Sequence, residues 1–204
     1  MKSPQNLAGL LADIRHCRIC RDRPDGARLP HEPRPVLQLS ATARVLIAGQ
    51  APGVRVHSSG RPFTDPSGDR LRAWLGIRPE VFYDESRIAI LPMGFCFPGL
   101  SPKGADLPPR PECARAWRRQ LMDSIPKLEL IVAIGLYAQR WHLGEDWRGS
   151  LTDTVATWRA CLKRNPPAIP LPHPSWRNNS WLKANPWFEA ELLGQLRKRV
   201  SRLL

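Results

Sequence analysis

The residues best suited to chemistry fall in loops that separate short apolar runs. The first loop, Gly49–Asp69, reads GQAPGVRVHSSGRPFTDPSGD and carries an amide, two carboxylates and an aromatic ring. The last, Pro172–Trp181, reads PHPSWRNNSW and carries a histidine beside two tryptophans. Carboxylates and histidine are common general acids and bases. The first loop has neither the lysine of a phosphate-binding loop nor a GxGxxG motif, so we expect no nucleotide cofactor.

Five cysteines form a second reactive set. Cys17 and Cys20 make a CxxC pair, and Cys96 and Cys113 follow singly. Four thiolates can hold an iron–sulfur cluster or zinc, but the double CxxC of a zinc ribbon is absent. Buried thiols without a metal are the remaining alternative. We interpret Cys161, which stands among apolar residues of a predicted helix, as a core residue.

Composition narrows the class of protein. The 204 residues include 31 Lys and Arg against 18 Asp and Glu, a net charge of +13, and 42% are hydrophobic, which is enough for a core. No apolar run approaches the roughly 20 residues of a membrane helix, so we expect a cytoplasmic protein with no membrane partner and no structural disulfides. The charge predicts a nucleic-acid partner; a basic surface without a specific role is the alternative.

Short apolar runs alternate with predicted helices along the chain. Helix signals include a cap at Ser67 and a helix start at Pro111. We predict a three-layer α/β/α domain with a central, mostly parallel sheet of about four strands. Residues 1–204 are expected to form a single domain, onto which the N-terminal helix and CxxC segment of residues 1–43 pack. The predicted strands are Arg44–Ala48, Arg87–Leu91, Leu128–Ile134 and Ala168–Leu171.

Three motifs stand in order after the first and last of these strands: GQAPG at 49–53, GRPF at 60–63 and HPS at 173–175. Ligands of parallel sheets bind beyond the carboxyl ends of the strands. Together with the cysteines, the motifs resemble the uracil-DNA glycosylase superfamily, in particular its iron–sulfur branch, family 4, which typically carries GEAPG and then GRPF. The resemblance implies the glycosylase fold and a hydrolase that removes uracil or a related deaminated or damaged base from DNA, leaving an abasic site.

The resemblance also assigns roles in binding the base. Phe63 is the stacking platform, and the backbone of Ala51, Pro52 and Gly53 shapes the pocket floor. His173 donates a hydrogen bond to the uracil oxygen that gains charge. Each has a structural alternative: Phe63 can close its loop onto the core, and a histidine before proline can be a structural hydrogen-bonding residue.

Two positions depart from family 4. Gln50 replaces glutamate, and an amide orients water but is no general base near neutral pH. Pro92 stands where that family keeps a base-reading asparagine, and it has no side-chain donor or acceptor. Another family of the superfamily has its catalytic aspartate shortly after GRxF, which makes Asp65 the candidate to polarise water, with Gln50 assisting; a turn-forming role for Asp65 is the alternative.

Contacts with DNA are predicted on both sides of the motifs. Arg61 lies in the first loop, and in the last loop tryptophans interleave with cations, a composition that grips phosphates and stacks bases. The resemblance implies that Ser175 and Arg177 lie near the DNA backbone. The segment Gly94–Arg110 is long and rich in proline and glycine, and loops of this length are often functional. The resemblance further implies a 4Fe–4S cluster held by Cys17, Cys20, Cys96 and Cys113.

We expect a monomer that acts on single- or double-stranded DNA. The departures at Gln50 and Pro92 leave a rival interpretation, a non-catalytic nucleic-acid-binding damage sensor on the same fold. Hydrolysis of a free nucleoside or nucleotide is a third possibility, and the net charge of +13 makes it less attractive than a polymer substrate.

Overall fold

The computed structural model describes residues 6–204. Its centre is a parallel four-stranded sheet in the order β2-β1-β3-β4, with β1 at Val45–Ala48, β2 at Ile88–Ile90, β3 at Leu130–Ile134 and β4 at Ala168–Leu171. The helices are α1 Leu7–Arg15, α2 Ile19–Asp22, α3 Val54–Ser59, α4 Pro66–Leu75, α5 Pro79–Phe82, α6 Pro111–Asp123, α7 Gly135–Leu143, α8 Leu151–Ala156, α9 Trp158–Cys161, α10 Asn179–Ala184 and α11 Leu193–Leu203, the last preceded by a π-helical segment, Phe188–Leu192.

Helices cover both faces of the sheet. Leu46 and Ala48 of β1 lie in one buried cluster with residues of α1, α6 and α7. Val45 and Ile47, which point the other way, lie in a second cluster with residues of α4 and α11. A strand buried on both faces reads as a continuous apolar run. The predicted three-layer α/β/α fold is confirmed.

The order of the strands places a crevice at one edge of the sheet. The chain moves outward from β1 to β2 and then crosses to the other side of β1 to form β3 and β4. Loops that leave neighbouring parallel strands in opposite directions open a crevice at their carboxyl ends. The loops after β1, β2 and β4 all belong to this edge.

The N-terminal segment packs on the α6 side of the sheet. Asn6 caps α1, its Oδ1 accepting a hydrogen bond from the Gly9 N–H at 2.8 Å. Leu10 and Ile14 of α1 are buried in the same cluster as Leu121 of α6. Within residues 6–204, none of the helices combines the length and apolar character needed to cross a membrane.

Candidate active site and cysteine cavity

A pocket of about 90 Å³ lies at the carboxyl edge of the sheet, between the loops after β1, β2 and β4. A single water needs roughly 15 Å³ of such a cavity, so the space suits a small ligand. The pocket brings together every residue predicted to be catalytic or base-binding, namely Gln50, Ala51, Pro52, Gly53, Phe63, Asp65 and His173. Pro92, at the end of β2, also lines it and offers no polar side-chain atom.

Phe63 is held by its backbone. It has a positive φ of 54°, which is uncommon outside glycine. Its carbonyl accepts a hydrogen bond from Arg72 Nη1 at 3.1 Å, and the Tyr83 hydroxyl lies 3.1 Å from the same oxygen. The first turn of α4 approaches so closely that a Cβ on Gly68 would stand 1.9 Å from this oxygen. These contacts keep the strained backbone in place at the pocket wall.

Asp65 occupies the N-cap position of α4, and the predicted cap at Ser67 is wrong. Pro66 takes the first helical position, which its fixed φ suits, so Ser67 falls inside the first turn. The Ser67 hydroxyl donates to Asp65 Oδ2 at 2.7 Å. The positive end of the helix also favours a negative charge at this position. A half-buried carboxylate is thereby oriented at the pocket.

His173 follows β4 and presents one defined tautomer. The Ser175 backbone N–H donates to its Nδ1 at 3.2 Å, so the neutral ring carries its proton on Nε2. Burial lowers the pKa of His173, although Asp65 and Asp106 act in the opposite direction. Among the described residues Nε2 has no hydrogen-bond partner. The site therefore holds a neutral N–H donor available to a ligand.

Sequence reasoning missed Asp106. It belongs to the loop after β2, which joins the pocket wall beside Gly53. Only the length and the proline and glycine content of this loop suggested a function, and neither signal identifies a residue.

Arg118 of α6 was missed as well. It is 1% exposed and donates from Nη1 to the carbonyls of Leu91 and Pro92 at 2.7 and 3.0 Å. Its Nη2 pairs with His142 Nε2. Burial lowers the pKa of Arg118 to about 9. The buried guanidinium secures the end of β2, where Pro92 meets the pocket.

The predicted DNA contacts lie on the surface near the pocket. The guanidinium of Arg61 stacks on the Tyr83 ring, 3.6 Å from its centroid. The Ser175 hydroxyl accepts a hydrogen bond from the Arg177 N–H at 3.2 Å and so shapes the turn after His173. Trp176 is 72% exposed, and Arg177 is exposed beside it. An aromatic ring and a cation thus project next to the histidine.

A second cavity is lined by all four cysteines of the predicted cluster, Cys17, Cys20, Cys96 and Cys113. Trp117 Nε1 donates to the sulfur of Cys17 at 3.3 Å, and the Phe95 backbone N–H donates to the sulfur of Cys113 at 3.4 Å. Hydrogen bonds of this kind orient and tune thiolate ligands of metal centres. Arg110 lines the same cavity, and its Nε is buried without a partner among the described residues. The donor set fits a metal–sulfur group.

Burial disfavours the thiolate form of three of the four cysteines. Burial raises the pKa of Cys20 and Cys96 to about 12 and raises that of Cys113 further. Buried thiols become thiolates when a metal binds them. Over residues 6–204, no three His, Cys, Asp or Glu side chains gather closely enough to hold one metal ion. The four thiols share a cavity without converging on a single point.

The fold and the pocket define an α/β protein with a pocket at the carboxyl edge of a parallel sheet, where such folds usually bind their ligands. The family model described as the Uracil DNA glycosylase superfamily matches residues 37–197, well over half of the chain. The chain belongs to the uracil DNA glycosylase superfamily, whose members are generally hydrolytic glycosylases that act on DNA.

Proposed function

We propose that the protein is a DNA glycosylase that hydrolyses the N-glycosidic bond of uracil or a related deaminated or damaged base in DNA and leaves an abasic site. One observation carries the proposal. A single pocket gathers a stacking ring, a carboxylate and a neutral histidine donor from loops far apart in the sequence. These are the groups that the cleavage of a base–sugar bond requires.

The reaction begins when the base leaves the stack, which costs a few kcal/mol. Phe63 stacks on the extruded ring. As the bond to the sugar breaks, negative charge grows on a base oxygen, and the Nε2–H of His173 donates to that oxygen. Asp65 polarises the attacking water, assisted by Gln50, and its charge favours the positive sugar that develops.

The surface supports a polymer substrate. The net charge is +13. Arg61 adjoins Pro62 and Phe63 of the pocket wall, and Ser175 and Arg177 follow His173 in the chain. We propose that these three residues contact the phosphates beside an extruded nucleotide. We propose DNA as the partner of a cytoplasmic, monomeric enzyme. We also propose that the chain is one domain, because α1 shares the buried cluster of β1 and α6.

We further propose that the chain is nearest to the iron–sulfur branch, family 4, and that Cys17, Cys20, Cys96 and Cys113 hold a 4Fe–4S cluster. Three observations support this: four thiols surround one cavity, N–H groups donate to the sulfurs of Cys17 and Cys113, and Arg110 Nε has no partner among the described residues. Four cysteine thiolates are the usual ligands of such a cluster. It would link the N-terminal segment to the loop after β2 as a structural group.

The activity is tested with oligonucleotides that contain uracil, hypoxanthine or a thymine mismatch, followed by alkali to break the strand at abasic sites. We expect strand breaks on at least one substrate, lost in His173→Ala and in Asp65→Asn. Salt-sensitive binding without breaks on any substrate would instead establish the damage sensor, which Pro92 in the pocket wall favours.

The cluster is tested by the colour and iron content of the purified protein. Colourless, iron-free protein after anaerobic purification would refute the cluster.

A further inference from the structure

The pocket contains a second carboxylate, contributed by the loop after β2. Asp106 lines the same space as Asp65 and His173. It sits on a short hairpin closed by the Leu107 N–H on the Gly99 carbonyl at 3.0 Å, and Leu100 and Asp106 pair across it. These backbone hydrogen bonds hold the side chain at the rim of the pocket.

The amide of Gln50 anchors this hairpin. Its Nε2 donates to the carbonyl of Leu107, the neighbour of Asp106, at 3.3 Å. A glutamate at position 50 has no N–H for this bond and would place an anion against the carbonyl and near the Asp106 carboxylate. Geometry therefore explains the amide at position 50, which is no general base. The amide holds the loop that carries Asp106.

The carboxylates of Asp65 and Asp106 differ in their hydrogen bonds. Asp65 accepts the Ser67 hydroxyl at 2.7 Å. No side-chain or backbone donor in residues 6–204 bonds to the carboxylate of Asp106, which is exposed at the mouth of the pocket. One Asp106 oxygen lies 3.7 Å from where a Cβ on Gly53 would stand, so it faces the pocket floor. Its oxygens are free to accept a proton from water.

We propose that Asp106 is a catalytic carboxylate that takes the proton of the attacking water, and that Gln50 is its positioning residue; this rests on the proposed glycosylase function. The water oxygen forms a bond to C1′ of the sugar while the bond from C1′ to the base nitrogen breaks. The bonding pair leaves with the base, whose charged oxygen accepts the hydrogen bond of His173. Asp106 receives the water proton and later releases it to solvent, from which the base anion takes its own.

The test measures single-turnover cleavage of the best oligonucleotide substrate at saturating enzyme, together with the Kd for the same DNA. Asp106→Asn should slow cleavage by about 10²-fold or more, the usual contribution of a general base, with unchanged Kd and melting temperature. Asp106→Glu should retain more of the rate because it keeps a carboxylate. Glu85→Gln, which removes one exposed charge away from the pocket, is the matched control and should cleave like the wild type.

The positioning role of Gln50 is tested by Gln50→Glu alone and combined with Asp106→Asn. The single variant should slow cleavage. The double variant should be no slower than Asp106→Asn, because Gln50 assists the activation of water by positioning Asp106. Wild-type cleavage by Asp106→Asn, or a loss confined to Kd, would overturn the inference and leave the glycosylase function intact. A wild-type protein that cleaves no substrate would overturn the proposed function itself.

Discussion

The pocket and the cysteine cavity share the loop after β2, which supplies Cys96 to the cavity and Asp106 to the pocket. Their polar groups are nevertheless satisfied differently. In the pocket, Asp65 and His173 already have protein partners. In the cavity, burial raises the pKa of Cys20, Cys96 and Cys113, and Arg110 Nε has no partner among the described residues. The fold alone preorganises the pocket, whereas under our proposal the cavity is completed by a 4Fe–4S cluster.

Removing the His173 donor should have the largest effect on the pocket and none on the cavity. His173→Ala is expected to lower the cleavage rate by about 10²–10³-fold, the cost of losing one preorganised donor to a developing oxyanion. Bound iron should be unchanged. The control is His16→Ala, an exposed histidine near the start of the chain. Equal loss in both variants, or none in His173→Ala, would contradict the assigned role.

Removing one of the four cavity thiols should affect the cavity rather than the pocket. We expect Cys113→Ala to lose the bound iron and to melt several degrees lower, because the variant lacks one buried ligand of the proposed 4Fe–4S cluster. Cys161→Ala is the matched control: this thiol is 0% exposed but outside the cavity, so the variant should keep its iron and lose about 1 kcal/mol through a small void. Iron analysis and thermal melting decide; full iron in Cys113→Ala would refute the ligand set.

Two glycines test how rigidly the pocket wall is held. A Cβ on Gly68 would meet the Phe63 carbonyl oxygen at 1.9 Å, so Gly68→Ala should cost about 2–3 kcal/mol of unfolding free energy and weaken cleavage. Gly194 of α11 has no atom within 4 Å of its Cβ position. Gly194→Ala should therefore stabilise the protein by roughly 0.5–1 kcal/mol, as helix propensity predicts. Urea unfolding measures the free energy of unfolding of both variants. Equal changes in the two would show that the close contact between Gly68 and the Phe63 carbonyl does not hold the pocket wall.

Acidification should produce the smallest effect and should act on the pocket. The lowered pKa of His173 means that cleavage persists at neutral pH and falls as the pH drops below the ordinary value of 6.5 through the lowered pKa. Protonation of Nδ1 removes the acceptor of the Ser175 N–H. A rate that rises on acidification from pH 6.5 would contradict the neutral donor.

The free energy of unfolding should also decrease on acidification. Burial, then Arg118 and Arg164, lower the pKa of His142 well below 6.5. Below pH 6.5 the unfolded chain binds more protons at this residue than the folded chain does. The contribution of His142 to the unfolding free energy therefore decreases as the pH is lowered below 6.5 and is constant above it. His142→Gln, which keeps an acceptor for Arg118, should flatten that slope in urea titrations. An unchanged slope would exclude His142 as its source.

Much of the fold followed from local patterns. The four strands were predicted because buried parallel strands are continuous apolar runs. The structure shortens the first three at their ends, to Val45–Ala48, Ile88–Ile90 and Leu130–Ile134. The cap of α4 was wrong, because serine and aspartate are both good caps and Pro66 decided between them. Local preferences identify elements more securely than their ends.

The site divides in the same way. The motifs, their order and their place at strand ends were readable from sequence, because turn residues and apolar runs are properties of neighbouring positions. The tautomer of His173, the contact of Gln50 with Leu107 and the places of Asp106 and Arg118 were not. Each depends on how loops and helices pack at the edge of the sheet. Only the tertiary structure brings those segments together, because burial and hydrogen bonding between residues far apart in the chain decide them.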